Sequence, residues 1–194
     1  MPARKKPTPL TQKLVAAGAN AHEAPPPARR SKRRARGPFG SEFRPTNSTQ
    51  LFVSNAHDGA GNGSVSAFAD AADGTLTSIG ASPFANHQTA PCWVEISHDG
   101  QYLFTVNTAV STISSYSIAT DGSLTLLDNT TLRSPSGRVP EDARLSPDGS
   151  TLWVVDTGAD AVSGFTVAGG TLTELASSPT PGPAGATPSG IVVT

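Results

Sequence analysis

His87, Arg138, Glu141 and Asp142 are of the types needed to drive water against a carbonyl carbon. A histidine or carboxylate can take the proton from water, and a cation can stabilise charge developing on the carbonyl oxygen. Arg138, Glu141 and Asp142 fall within five residues of one another, and His87 lies in the corresponding connection one sequence unit earlier. His57, Asp58, Arg133 and Asp156 form a second set suited to holding a polar ligand. Ordinary polar loops supply the same residue types, so their placement has to decide.

Other chemistries are poorly represented. Cys92 is the single cysteine, which excludes an internal disulfide and a cysteine-rich zinc site. It has no fixed cationic neighbour to activate it and reads as a small buried side chain. There is no glycine-rich phosphate loop, HExxH or EF-hand pattern, so neither metal nor cofactor is expected.

The elements that must position these residues repeat along the chain. Pro38, Pro91, Pro140 and Pro188 stand 53, 49 and 48 residues apart, each opening an apolar run. In the second unit the pattern predicts strand a over 94–97, b over 102–106, c over 112–118 and d around 123–127. Asp99-Gly100 separates the first two strands and Asp121-Gly122 the last two. Asp73-Gly74 and Gly169-Gly170 occupy the latter place in the neighbouring units. Asp-Gly suggests type I′ turns, in which both central residues take positive φ. Four-stranded units of roughly 40–50 residues are the sequence sign of propeller blades. The fold class read from this is all-β: a β-propeller fragment of about three four-stranded blades plus one orphan strand, Ile191–Val193, preceded by a disordered basic tail.

Composition supports that division. The 19 glycines and 17 prolines argue against a helical bundle. Residues 1–49 carry 11 Lys/Arg and 2 Asp/Glu, whereas residues 50–194 carry 3 and 13, so a net +9 precedes a net −10. Residues 1–36, rich in Pro and Arg, are read as one disordered segment and residues 37–194 as the folded body. The Arg29–Arg36 run reads as a solvated tail rather than a nucleic-acid anchor. Leu14–Ala17 is too short for a secretory apolar core, and no stretch is long and apolar enough to span a bilayer.

The pattern of Pro-x-x, an apolar strand, Pro/His-Asp-Gly, an aromatic-rich strand ending in Asn or Asp, then Thr/Ser-Ile/Val-Ser resembles the lactonase family of β-propellers. That family includes 6-phosphogluconolactonases and carboxymuconate-type lactonising enzymes, and the resemblance covers about residues 37–194. It implies a seven-bladed ring about twice this length, acting on a small sugar-acid or muconate-type lactone. It also implies that the d–a and b–c connections share the ligand face, which is where the eight candidates fall. The family's Pro-Arg-His turn is absent: its histidine position holds Gly40, Trp93, Asp142 and Gly190 in the four copies. The enzyme reading therefore stands beside a non-catalytic propeller that binds protein, peptide or glycan. A partial ring would also leave open edges for self-association or for missing blades.

Overall fold

Short alternating runs of β-branched, aromatic and small polar residues suit a pleated, half-buried surface, and the Asp-Gly pairs between them end each run early. The computed structural model describes residues 37–134, 136–182 and 188–194. Within them every regular element is a strand. The reading of residues 1–36 lies outside the described residues.

Blade 1 comprises β1 (Pro38–Arg44), β2 (Asn47–Asn55), β3 (Ser64–Asp70) and an outer strand in two pieces, β4 (Leu76–Ser78) and β5 (Phe84–Ala85). Blade 2 comprises β6 (Pro91–Ile96), β7 (Tyr102–Asn107), β8 (Thr112–Ile118) and β9 (Leu124–Thr131). Blade 3 comprises β10 (Pro140–Leu145), β11 (Thr151–Asp156), β12 (Ala161–Ala168) and the paired pieces β13 (Thr171–Glu174) and β14 (Thr180–Pro181). Each is an antiparallel meander in chain order. The outer strand is interrupted where Ser82-Pro83 and Ser178-Pro179 occur. There the serine hydroxyl accepts the strand-c N–H, from Ala67 at 2.9 Å and from Gly164 at 3.2 Å. In blade 2 no Ser-Pro pair falls within the outer strand, which stays in one piece with a register shift between Ser115 and Tyr116.

The Asp-Gly turns differ from the type I′ expectation. Gly74, Gly100, Gly122 and Gly149 have φ of 80°, 68°, 88° and 71°, but the preceding aspartates are not left-handed. Each aspartate instead accepts the N–H two residues on, from Thr75, Gln101, Ser123 and Ser150. One left-handed residue plus a side-chain bond closes the turn, so only the glycine must be free of a Cβ. Gly169 and Gly170, at 56° and 80°, form the one pair with both residues left-handed.

Neighbouring blades meet along their first strands, β1 with β6 and β6 with β10, and touch little at their outer strands. That wedge places β1, β6 and β10 innermost. Phe52, Val65, Val94, Ile96, Leu103 and Tyr116 fill the space between blades 1 and 2. Phe104, Val106, Leu145, Leu152 and Phe165 fill the space between blades 2 and 3. Arg44 staples the first pair from its buried end, donating to the carbonyls of Gly100 and Ala119 at 2.8 and 2.9 Å. Segment 188–194 runs beside β10, where Ile191 N–H donates to Asp142 Oδ2 at 2.8 Å.

Candidate functional site

Every strand b ends on a buried amide or carboxylate, and the three are used differently. Asn55 donates to the hydroxyls of Ser64 and Ser66, each at 3.0 Å. Asn107 donates to Thr112 Oγ1 and Ser114 Oγ at 3.0 and 2.9 Å and accepts from Asn86 at 2.8 Å. Asp156, fully buried, pairs with Arg138 Nε, while its other oxygen accepts the N–H groups of Val139 and Ala159 at 2.8 and 3.1 Å. Asp156 thus bonds the loop backbone, whereas the two asparagines reach strand c instead.

The structure joins Arg138 and Asp156 but binds both into the frame. Arg138 also donates to Ser163 Oγ and to the Arg133 carbonyl. Arg133 turns its guanidinium to the carbonyls of Glu174, Ala176 and Ser178, locking the loop onto the outer strand of blade 3. Asp142 is buried and accepts the N–H groups of Ala143 and Ile191. Glu141 is half-buried, and His87 is exposed with φ of 58°. Among the described residues the side chains of Glu141 and His87 take no hydrogen-bond partner. His57 is exposed against the backbone of Gly37, where no Cβ would fit. Asp58, half-buried, receives Asn62 Nδ2 on its carbonyl at 3.3 Å. Burial and the charges of Glu141 and Asp142 push the Cys92 thiol up against a lowering bond from Thr108, consistent with an unreactive cysteine.

A second polar group lies on the innermost strands. Glu42, Glu95 and Arg144 each stand four residues after the unit's opening proline, in β1, β6 and β10. Glu95 accepts from Arg144 Nη1 at 2.7 Å and from the N–H of Leu145 at 2.9 Å. Glu42 repeats the backbone part of that contact one blade earlier, accepting from Ile96. Its Oε2 is buried without a partner. Burial, aided by the charge of Glu95 and opposed by Ile96 and Arg144, raises Glu42 to about 8. The Arg144 guanidinium lies 5.0 Å from the centroid of the Trp93 ring and stays partly exposed. A carboxylic acid, a carboxylate and a cation therefore share one row across three blades. Superposing the units on their prolines would have revealed it, because the fifth position is charged in all three full units. Among the described residues no group of three or more His, Cys, Asp or Glu could hold a metal ion.

Residues 43–188 match the family model described as lactonase, 7-bladed beta-propeller. A periplasmic gluconolactonase from Pseudomonas aeruginosa superposes with a TM-score of 0.67 at 25% identity, over 78% of this chain and 46% of that one. A Bacteroides fragilis protein provisionally assigned as a 6-phosphogluconolactonase gives a TM-score of 0.67 at 21% identity, with the same shares covered. A Lactobacillus plantarum protein follows at 0.55 and 26% identity, covering 65% of this chain and 37% of that one. No curated protein sequence matches the chain. It spans less than half the length of these three relatives.

Proposed function

Because the chain belongs to the lactonase family of seven-bladed β-propellers, we propose that it takes part in opening or closing a small lactone. The sugar-acid type is favoured over the muconate type, since a gluconolactonase is among its structural relatives. Opening a lactone needs a cation or donor for the oxygen of the attacked carbonyl and an acid for the departing ring oxygen. Arg144 supplies the first role: one nitrogen is held by Glu95, and Trp93 supports the guanidinium plane. Glu42 supplies the second, being protonated at neutral pH with Oε2 unpartnered. That unpartnered acid beside the Glu95–Arg144 pair is the observation carrying the reading. His87 or Glu141 on the loop face is the candidate for activating water.

The experiment is acid release from glucono-δ-lactone and its 6-phosphate by the full chain, against the buffer rate. Arg144→Met should lower kcat on the order of a hundredfold. Glu42→Gln, which cannot give a proton to the ring oxygen, should lower kcat and remove the fall in activity expected as pH rises past 8. Turnover unaffected by either change would sink the assignment. A second reading, a non-catalytic propeller that binds a partner, is favoured by the engagement of Arg133, Arg138, Asp142 and Asp156 in packing. Rates equal to buffer for every lactone tried would select it.

A further inference from the structure

Asparagine followed by glycine is the pair most prone to lose its side-chain amide. A residue without a Cβ lets its own backbone nitrogen reach the Cγ before it. Asn62-Gly63 is the one such pair in the chain. It closes the connection from β2 to β3, residues 56–63, which is twice as long as the connections 108–111 and 157–160 of the other blades. Gly59 and Gly61, with φ of 91° and 69°, give that loop a path that residues with a Cβ rarely adopt.

The fold keeps other asparagines from the same chemistry. Asn55, Asn86 and Asn107 are buried with their amides engaged in hydrogen bonds. Asn129 is held at both ends, its Oδ1 accepting from the Ser114 hydroxyl and its Nδ2 donating to the Asn86 carbonyl. Asn47 is half-buried, and its Oδ1 accepts from the N–H and hydroxyl of Thr49. Asn62 is exposed, and its Nδ2 reaches the Asp58 carbonyl at 3.3 Å.

What restrains Asn62 is a clamp on its neighbour. Gly63 N–H donates to the Gln88 carbonyl at 2.9 Å, and the Gly63 carbonyl accepts from Asn86 N–H at 3.0 Å. A Cβ at position 63 would stand 2.6 Å from Asn86 Oδ1 and 2.8 Å from the Gln88 carbonyl oxygen, so the clamp itself demands glycine there. Two residues earlier, Gly61 N–H donates to Thr89 Oγ1 at 3.0 Å. All three partners belong to the loop that carries His87.

We propose that Asn62 is a self-modification site, converting to aspartate and isoaspartate at a rate set by opening of this clamp, and that the conversion frees the His87 loop. With the clamp open, Gly63 nitrogen gives its proton to solvent and bonds to Asn62 Cγ. The Cγ–Nδ2 bond breaks, and ammonia leaves with a proton taken from water. Water then opens the cyclic imide at either carbonyl. Opening at the main-chain carbonyl routes the backbone through the Asn62 side chain and lengthens it by one carbon. Ser64 stays paired with Asn55, so the added length falls on Gly63 and pulls it from Gln88 and Asn86. This inference is independent of any catalytic reading.

Peptide mass mapping of the full chain held at mildly alkaline pH, beside the same chain unfolded in urea, tests it. Conversion in the folded chain should be confined to Asn62 and run slower than in urea by on the order of tenfold, the protection of a loop that opens locally. Thr89→Ala removes the tie on Gly61 and should raise the folded rate several-fold, with circular dichroism confirming the fold. Hydrogen exchange at the Gly63 and Asn86 N–H groups should quicken in the isoaspartate fraction. It should not quicken in Asn62→Asp, which adds the charge without the extra carbon. A folded chain whose Asn62 stays intact while the urea sample converts overturns the proposal, as does conversion of Asn47 or Asn129 at an equal rate. An unchanged rate in folded Thr89→Ala overturns the clamp as its control, and unchanged exchange in the isoaspartate fraction overturns the link to the His87 loop.

Discussion

Blades 2 and 3 use the same three places near the d–a loops to opposite electrostatic effect. In blade 2 the loop residue Asn86, the strand-end residue Asn107 and Ser114 of β8 form a neutral amide–hydroxyl knot. In blade 3 the loop gives Arg138, the strand end Asp156 and β12 the hydroxyl of Ser163, so the knot is an ion pair. Both are buried and both tie a d–a loop to strands b and c. Charge is therefore interchangeable with amide pairing here, provided that it is matched. A charged residue in a d–a loop need not be a reactive one.

The sharpest way to break this equivalence is to remove one partner. Arg138→Met leaves Asp156 buried and uncompensated, which should cost about 3–5 kcal/mol in urea unfolding, as breaking a buried pair does. The double change Arg138→Gln with Asp156→Asn copies the chemistry of blade 2 and should recover most of that loss. If the double variant is no more stable than the single one, the two knots are not equivalent. Asn107→Ala in blade 2 strands neutral groups only and should cost about 1–3 kcal/mol by the same measurement. A loss as large as that of Arg138→Met would remove the distinction between charged and neutral knots.

The repeat was legible because proline spacing, Asp-Gly turns and strand alternation are local properties, and strand c of blade 2 falls on the expected residues 112–118. The Asn/Asp ending of each strand b was also visible. Its partners were not, because Ser66, Ser114 and Arg138 are brought in by register and by loop path. The Glu42, Glu95 and Arg144 row was missed for another reason. Glu42 and Arg144 stand among other charges in their own strands, Arg44 in β1 and Glu141 and Asp142 in β10, and only the stacking of neighbouring blades gives the three a common surface. The eight loop candidates were chosen by residue type, which cannot tell Arg138, buried on Asp156, from His87, exposed to solvent.

A pH-dependent effect separates the inner row from both knots. Glu42 is raised from 4.5 to about 8, so the folded state keeps a proton that the unfolded state releases across that window. Stability should therefore fall as pH rises from 4.5 to 8. Glu42→Gln should flatten that slope in urea unfolding followed against pH, and should make the protein more stable than the unaltered one at pH 8. An unchanged slope would mean that Glu42 does not hold the proton.

The smallest effect tests whether blades 2 and 3 differ only at their knots. Their a–b turns share two bonds and differ in a third: Ser97 donates to Asp99 and Ser146 to Asp148, each at 2.6 Å, each aspartate accepts an N–H two residues on, and Asp148 alone also accepts from the Ser150 hydroxyl at 2.8 Å. These bonds lower both carboxyls, Asp148 from 3.8 to about 2, with the Ser146 hydroxyl the largest cause. A depressed carboxyl contributes stability above its unfolded value and loses it as pH falls through the folded one. Asp148→Asn keeps an acceptor oxygen but no charge, so that contribution should be missing near neutral pH and the loss between about pH 4 and 2 should become shallower. Asp99→Asn should behave in the same way but with a smaller effect, because Asp148 also accepts from the Ser150 hydroxyl at 2.8 Å and Asp99 has no matching side-chain donor at Gln101. Acid unfolding of the two variants in parallel checks this. A shallower acid loss in Asp148→Asn than in Asp99→Asn would assign the extra effect to the Ser150 hydroxyl, and matching curves would mean that this bond adds nothing.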